Sequence, residues 1–308
     1  MKARYLSLKP LVNWRKESHP ILWHEKFGDD SPLVVEIGFG NGEYLVRRAK
    51  ESPDVHFVGI DREWQSVWRA LRAIHRGHIQ NVKILKADAR WVFSRLFAPG
   101  SIREAYALFP CPWPKEKHEH YRLFSQKFLR RLNGCLIHRG TVQVVTDDEG
   151  YFHWVLKESV DTGFSVSYET VGPGFFTKYE NKWRQAGKNI FYRIVFTKEL
   201  DYPLPKIEEP GLRTYRISTF DPESFSPDHL RGDVVVEFKD FLYDPVRKRA
   251  MVRAIVVEDE FLQDFWIEIR YSEKDWIIRP HEGCGWIPTV GTQKALDLVH
   301  AACTRGVS

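Results

Sequence analysis

The 308-residue sequence predicts an α/β protein, a largely parallel sheet with helices on both faces, followed by a small α+β domain. Three observations carry that expectation. Leu33-Val34-Val35-Glu36-Ile37 is nearly continuous apolar chain, as a strand buried on both faces requires, and it runs straight into Gly38-Phe39-Gly40-Asn41-Gly42. Strand-like and helix-like stretches then alternate up to Asp147. The strands end in polar or charged residues, and ligands of such sheets collect at the carboxyl ends of the strands.

The elements follow in order. After the glycine turn comes a helix at 44–49, then a strand at 56–61 that ends in Asp61. A long helix covers 64–76, and a third strand covers 82–88 and ends in Asp88. A fourth strand is expected at 104–109, a helix at 121–132 and a strand at 141–147. Two further strands, around 165–169 and 190–197, close the sheet as an antiparallel pair. The proline-bearing stretch 204–211 reads as a linker. Alternating runs at 233–239, 250–257, 265–271 and 276–279, with a helix at 292–302, predict an antiparallel sheet with one helix.

Composition narrows the class. No apolar run approaches the length of a membrane span, and the first residues, Met1-Lys2-Ala3-Arg4-Tyr5, lack the apolar core of a signal peptide. The four cysteines are far apart with no C-x-x-C pair, which argues against a zinc site and a disulfide scaffold. A cytoplasmic enzyme without a metal is expected. Charge is uneven: residues 1–199 carry a net +10 and residues 200–308 a net −5. A basic first half suits a polyanionic partner, although charge of this size also serves solubility alone.

The glycine turn has the form E-x-G-x-G-x-G, with Glu43 where a dinucleotide fingerprint would place its third glycine. A carboxylate at the strand end tolerates a cationic ligand and repels a pyrophosphate. The pattern resembles the first motif of Rossmann-like class I methyltransferases, which bind S-adenosylmethionine. In that setting Asp61 is placed to accept both ribose hydroxyls, and Asp88 to accept from the adenine amine. Both acids equally fit the plainer role of helix caps. Downstream, Phe109-Pro110-Cys111-Pro112-Trp113-Pro114-Lys115-Glu116-Lys117-His118 forms a proline-stiffened loop. Trp113 offers a stacking face or a core packing group, and Lys115 and Lys117 suit phosphates. Arg122, Lys127, Arg130 and Arg131 extend a basic surface or make a solvated helix face.

The glycine turn, the proline–tryptophan–lysine loop, the Thr146-Asp147 pair and the segment Thr177-Lys178-Tyr179-Glu180 occur in this order. Together they resemble the tRNA (guanine-N7-)-methyltransferases of the bacterial TrmB type, over about residues 30–198. The resemblance implies transfer of a methyl group from S-adenosylmethionine to N7 of a guanine in the tRNA variable loop, giving N7-methylguanosine. It implies a methyltransferase domain at 1–200 and leaves 205–308 as an α+β extension outside the family core. It also implies that Glu36, Gly38, Gly40, Asp61 and Asp88 hold the cofactor, with Cys111 beside them. Lys115, Asp147, Thr177, Lys178, Tyr179 and Glu180 would contact the guanosine, with Asp147 and Glu180 accepting from the base edge. A glycine–proline hinge at 172–174 would let the second loop close over the base.

One position departs from the family pattern. Cys111 stands where the family loop carries an aspartate credited with a key catalytic role. The enzyme works without that carboxylate, or another acid has taken its role, or the chain is a noncatalytic RNA-binding descendant. A methyltransferase acting on another substrate is a further alternative. The chemistry favours an active enzyme, because N7 of guanine presents a free lone pair and needs no deprotonation. The negative charge of the extension favours dimerisation or stabilisation over tRNA gripping, while Arg247-Lys248-Arg249 keeps the latter open. The assembly is expected to be a monomer or a homodimer.

Overall fold

The computed structural model describes residues 6–177, 180, 185, 187, 189–204 and 209–305. Its contacts divide the chain into two compact units, Met1–Pro205 and Lys206–Ser308.

The first unit is built on a seven-stranded sheet. Its strands are β1 (Leu33–Ile37), β2 (His56–Asp61), β3 (Val82–Lys86), β4 (Ile102–Leu108), β5 (Leu136–Thr146), β6 (Phe164–Val171) and β7 (Phe191–Lys198). Their order is β3-β2-β1-β4-β5-β7-β6. β3 through β5 pair in parallel, and β7 is antiparallel to both β5 and β6. The predicted α/β class and the closing antiparallel pair are therefore both present. The order reverses between β1 and β4, which opens a crevice at their carboxyl ends.

The helices are α1 (Trp23–Phe27), α2 (Glu43–Glu51), α3 (Trp64–Gly77), α4 (Ala89–Arg95), α5 (Gln126–Cys135) and α6 (Glu149–Glu158). On one face of the sheet, Val34, Phe57 and Ile84 pack with Leu45, Leu71 and Ile74 of α2 and α3. Val35 and Val58 point the other way along the pleat and are also fully buried, so both faces are covered. Phe93 of α4 and Phe128 of α5 meet edge to face with centroids 5.6 Å apart.

Some boundaries move for local reasons. β3 ends at Lys86 because Asp88 leaves the sheet to cap α4, accepting from the Arg90 backbone N–H. β4 ends at Leu108 because Phe109 turns to φ 55°. The helix expected from residue 121 begins at Gln126, where Ser125 accepts from the Phe128 N–H. Residues 122–125 are irregular, and Glu116–Tyr121 ahead of them is a 3-10 turn. α4 and α6, two short helices, add to the elements expected from the sequence.

The second unit is an antiparallel sheet with one helix, as expected. Its strands are β8 (Tyr215–Ile217), β9 (Val234–Asp244), β10 (Arg249–Glu258), β11 (Phe261–Ser272) and β12 (Asp275–Pro280), in the order β8-β12-β11-β10-β9. α7 (Val290–Thr304) seats Ala295, Leu296 and Val299 in a core with Val236, Val252, Ile267 and Ile278. Among the described residues no helix is long and apolar enough to cross a membrane, and no group of three or more His, Cys, Asp or Glu could hold a metal ion.

Candidate active site

The glycine turn forms the floor of the crevice. Gly38 and Gly40 take φ values of 72° and 55°, and a Cβ on either would meet nothing within 4 Å. Left-handed backbone selects glycine here, and the empty space beside it is room for a ligand. Gly42 has a different reason to be glycine: its Cβ would lie 2.8 Å from the Ala70 Cβ, so it lets α2 and α3 touch. The Gly40 N–H donates to Asp61 Oδ2 at 3.0 Å, and the Glu63 N–H donates to Asp61 Oδ1 at 2.8 Å. Asp61 thus ties the turn to the start of α3. Burial raises its pKa above the usual carboxylate range, against the pull of these backbone donors.

Two hollows share this floor. The larger, of about 310 Å³, is lined by Gly38, Gly40, Asp61, Asp88, Phe109, Cys111 and Trp113, together with Arg62, Ser66, Arg90 and Tyr121. The smaller, of about 70 Å³, is lined by Glu36, Gly38, Gly40, Arg69 and Thr177 among others. Glu36 is 2% exposed, and its Oε2 makes no hydrogen bond among the described residues. The Tyr106 hydroxyl lies nearby without closing one. Burial pushes the Glu36 pKa well above the usual range, and the Arg48 charge offsets this only in part. A buried carboxylate with an unpartnered oxygen beside an open hollow favours a cation.

Asp88 reaches the larger hollow with its oxygens engaged. Arg90 donates to both of them at 2.5–3.1 Å, and the Arg90 backbone N–H donates to Oδ1 at 3.0 Å. Burial raises the Asp88 pKa, but these bonds and the Arg90 charge outweigh it and leave the group below the usual range. Asp88 is therefore both a cap and a cavity wall. Arg90 lines the hollow beside it as the partner of its carboxylate, which was not foreseen from the sequence.

The proline loop is held at both ends. Phe109, at positive φ, donates its N–H to the Val145 carbonyl at 2.7 Å. Trp113, also at positive φ, packs its ring 5.1 Å from Tyr121 and 5.8 Å from His118. Non-glycine residues in this region persist only where their surroundings hold them, and such residues gather at functional sites. Arg122 supplies part of the hold, donating from Nε to the Pro112 carbonyl at 3.0 Å and lying over Trp154. The basic-surface expectation is corrected for two of its four residues: Arg122 clamps the loop, and Arg131 is buried and donates to the Arg90 carbonyl at 2.5 Å, while Lys127 is exposed and Arg130 half-buried. Cys111 is exposed at the cavity edge.

The remaining expected residues divide. Thr177 lines the smaller hollow and accepts from the Glu180 N–H at 3.2 Å. Glu180 is 1% exposed, and its carboxylate accepts from the backbone N–H groups of Gly174, Phe175 and Phe176. The base edge was its expected partner; the loop backbone is its observed one. Arg47 of α2 ties the same loop down, donating to the Phe175 carbonyl at 2.9 Å and lying over the Phe176 ring. Residues 174–176 are thus tied to Glu180 and to α2 in this conformation. Lys115 is exposed and Asp147 half-buried, and both lie outside the lining of the two hollows. Lys178 and Tyr179 lie outside the described residues.

A glycine floor, a hollow of nucleoside size and a buried carboxylate beside it fit S-adenosylmethionine, whose methionine end is cationic at its amine and sulfonium. Fold and site together define an S-adenosylmethionine-dependent methyltransferase of the Rossmann-like class I kind. A family model described as "Putative methyltransferase" matches residues 30–193. A tRNA (guanine-N(7)-)-methyltransferase of Chlorobium phaeobacteroides is 42% identical over 177 residues, covering 57% of this chain and 87% of its own. Its Thermotoga maritima namesake is 34% identical over 280 residues, covering 86% of this chain and 87% of its own. The Aquifex aeolicus one is 29% identical over 300 residues, covering 94% and 97%. Among solved structures, an antibiotic-related methyltransferase superposes with a TM-score of 0.47 at 16% identity, covering 57% of this chain and 92% of that one. The chain belongs to the tRNA (guanine-N(7)-)-methyltransferase family.

Proposed function

We infer that this protein transfers a methyl group from S-adenosylmethionine to N7 of a guanine in tRNA, leaving N7-methylguanosine. The observation that carries the reading is the kinship with the Thermotoga maritima tRNA (guanine-N(7)-)-methyltransferase along 86% of the chain. The variable loop as the site of the guanine comes from the family resemblance, and a cytoplasmic location fits a tRNA substrate.

When bound, the cofactor supplies a methyl group made electrophilic by its sulfonium. The protein's own residues bind and align. Glu36 neutralises the cationic methionine end from its buried position. Gly38 and Gly40 let backbone approach the ligand, and Asp61 presents a carboxylate toward a ribose from the end of β2. Asp88 and Arg90 form the wall on the adenine side as one bonded pair. N7 holds its lone pair in the plane of the base, so no side chain has to remove a proton. The protein has to bring the nitrogen into line and stabilise the purine as it becomes positive.

Asp147, at the carboxyl end of β5, serves as acceptor for guanine N1–H and the exocyclic amine, while Lys115 meets phosphate. Thr177, with Lys178 and Tyr179, completes the guanosine side. Glu180 acts one step removed, by shaping the loop that carries Thr177. Cys111 needs no nucleophilic role, because direct transfer to N7 has no covalent step to gain from a thiol.

The test is nucleoside analysis of unmodified tRNA after incubation with the protein and labelled S-adenosylmethionine. N7-methylguanosine is expected. Label in another nucleoside, or cofactor binding without incorporation, overturns the reading.

A further inference from the structure

α3 buries Val67, Ala70, Leu71 and Ile74 against the sheet, and none of its tryptophans is needed there. Trp64 is 52% exposed and Trp68 is 47% exposed, one turn apart on the same face. Arg72, a further turn along, lays its guanidinium over the Trp68 ring at 4.5 Å. Arg69 and Arg76 are exposed beside them. From Arg62 to Arg76 the segment has four arginines and one acid, Glu63, which pairs with Arg62 at 3.2 Å.

Two large indoles in water need a reason, and the arginines around them select the partner. A second copy meeting this face two-fold would set arginine against arginine. A nucleic acid meets both features, with phosphates for the guanidinium groups and base faces for the indoles. The strip also runs up to the cofactor cavity, because Arg62, Glu63 and Ser66 at its start line the larger hollow.

We propose that the outer face of α3 is a docking strip for the tRNA substrate: Trp64 and Trp68 stack on unpaired bases, and Arg72 and Arg76 meet backbone phosphates. The proposal rests on tRNA being the substrate. It adds a recognition surface outside every segment that carries the family resemblance to the guanosine site.

The experiment uses the full chain and an unmodified tRNA transcript. Affinity is measured over a salt series for the wild type, Trp64→Ala/Trp68→Ala, Trp64→Phe/Trp68→Phe and Arg72→Ala/Arg76→Ala. Cofactor affinity, melting temperature and solution mass are recorded for each. The alanine tryptophan pair is expected to weaken tRNA binding by about tenfold or more, with the phenylalanine pair recovering part of the loss. The arginine pair is expected to lower the slope of log affinity against log salt by about one to two. Cofactor binding and solution mass stay as in the wild type. Variants that bind tRNA as the wild type does overturn the proposal, as does weakening that follows only from a change in mass or lost cofactor binding. If the wild type methylates guanine while the variants bind normally, this inference alone fails. If the wild type leaves tRNA unmethylated, the functional reading fails with it.

Discussion

Glu36 is the residue whose chemistry is most exposed to test. Its carboxyl group is held above the usual range by burial, so the folded protein keeps that proton where the unfolded chain has lost it. The free protein therefore loses stability as pH rises from the ordinary carboxylate range through the raised value. A cationic ligand reverses the preference by favouring the ionised form. S-adenosylmethionine affinity is expected to rise with pH across the same window and then level off, releasing one proton per cofactor at the low end. Titration calorimetry in buffers of different ionisation enthalpy measures this, and Glu36→Gln should flatten the pH dependence while weakening binding. At Asp147 and Cys111 the expectation is a contrast. Asp147→Ala should cut methyl incorporation about a hundredfold or more with cofactor affinity unchanged, and Cys111→Ala should cost only a few-fold. Loss of turnover in Cys111→Ala alone, with cofactor still bound, would show that the thiol has inherited an essential role.

Among the elements, the glycine turn and the loop at 172–177 illustrate how backbone geometry is fixed. Gly42→Ala forces a Cβ to 2.8 Å from Ala70 and strains a φ of 73°, so α2 and α3 must part. The cost is expected to be about 2–4 kcal/mol, read as a lowered denaturation midpoint. Glu180→Ala frees the N–H groups of Gly174, Phe175 and Phe176. The anchored loop should become cleavable by limited proteolysis, and turnover should fall at least about tenfold while cofactor affinity holds. A variant that resists the protease and keeps its rate would leave Glu180 without the positioning role given to it. The proline loop carries its own support in Arg122, which holds it between two positive-φ residues and the 3-10 turn at Glu116–Tyr121.

For the whole molecule, every residue assigned to the cofactor lies in the first unit, and each unit has a core of its own. A chain ending at residue 204 is therefore expected to bind S-adenosylmethionine within about twofold of the full protein, measured by calorimetry. Its melting temperature and tRNA affinity decide what the second unit adds. Lost tRNA binding at unchanged melting temperature marks a recognition module, and lost stability marks a structural one. The Thermotoga maritima and Aquifex aeolicus relatives align over 280 and 300 residues, longer than the first unit, so the extension belongs to part of the family as well.

Periodicity and punctuation were local signals, and they were enough for the α/β class, the glycine floor and the acids Glu36, Asp61 and Asp88 at the strand ends. Those features follow from neighbours in sequence: apolar runs make buried strands, and glycines make left-handed turns. What the carboxylates bond to was settled elsewhere in the chain. Arg90 takes Asp88, the Gly40 N–H takes Asp61, and Glu180 turns inward to its own loop. Arg122 and Arg131 looked like surface charge and are structural, because burial depends on what packs over a helix and not on the helix itself. Local sequence determined which groups stand at the mouth of the sheet; only the tertiary structure decided which of them remain free for a ligand, since a hydrogen-bonding side chain takes whichever partner the fold brings nearest.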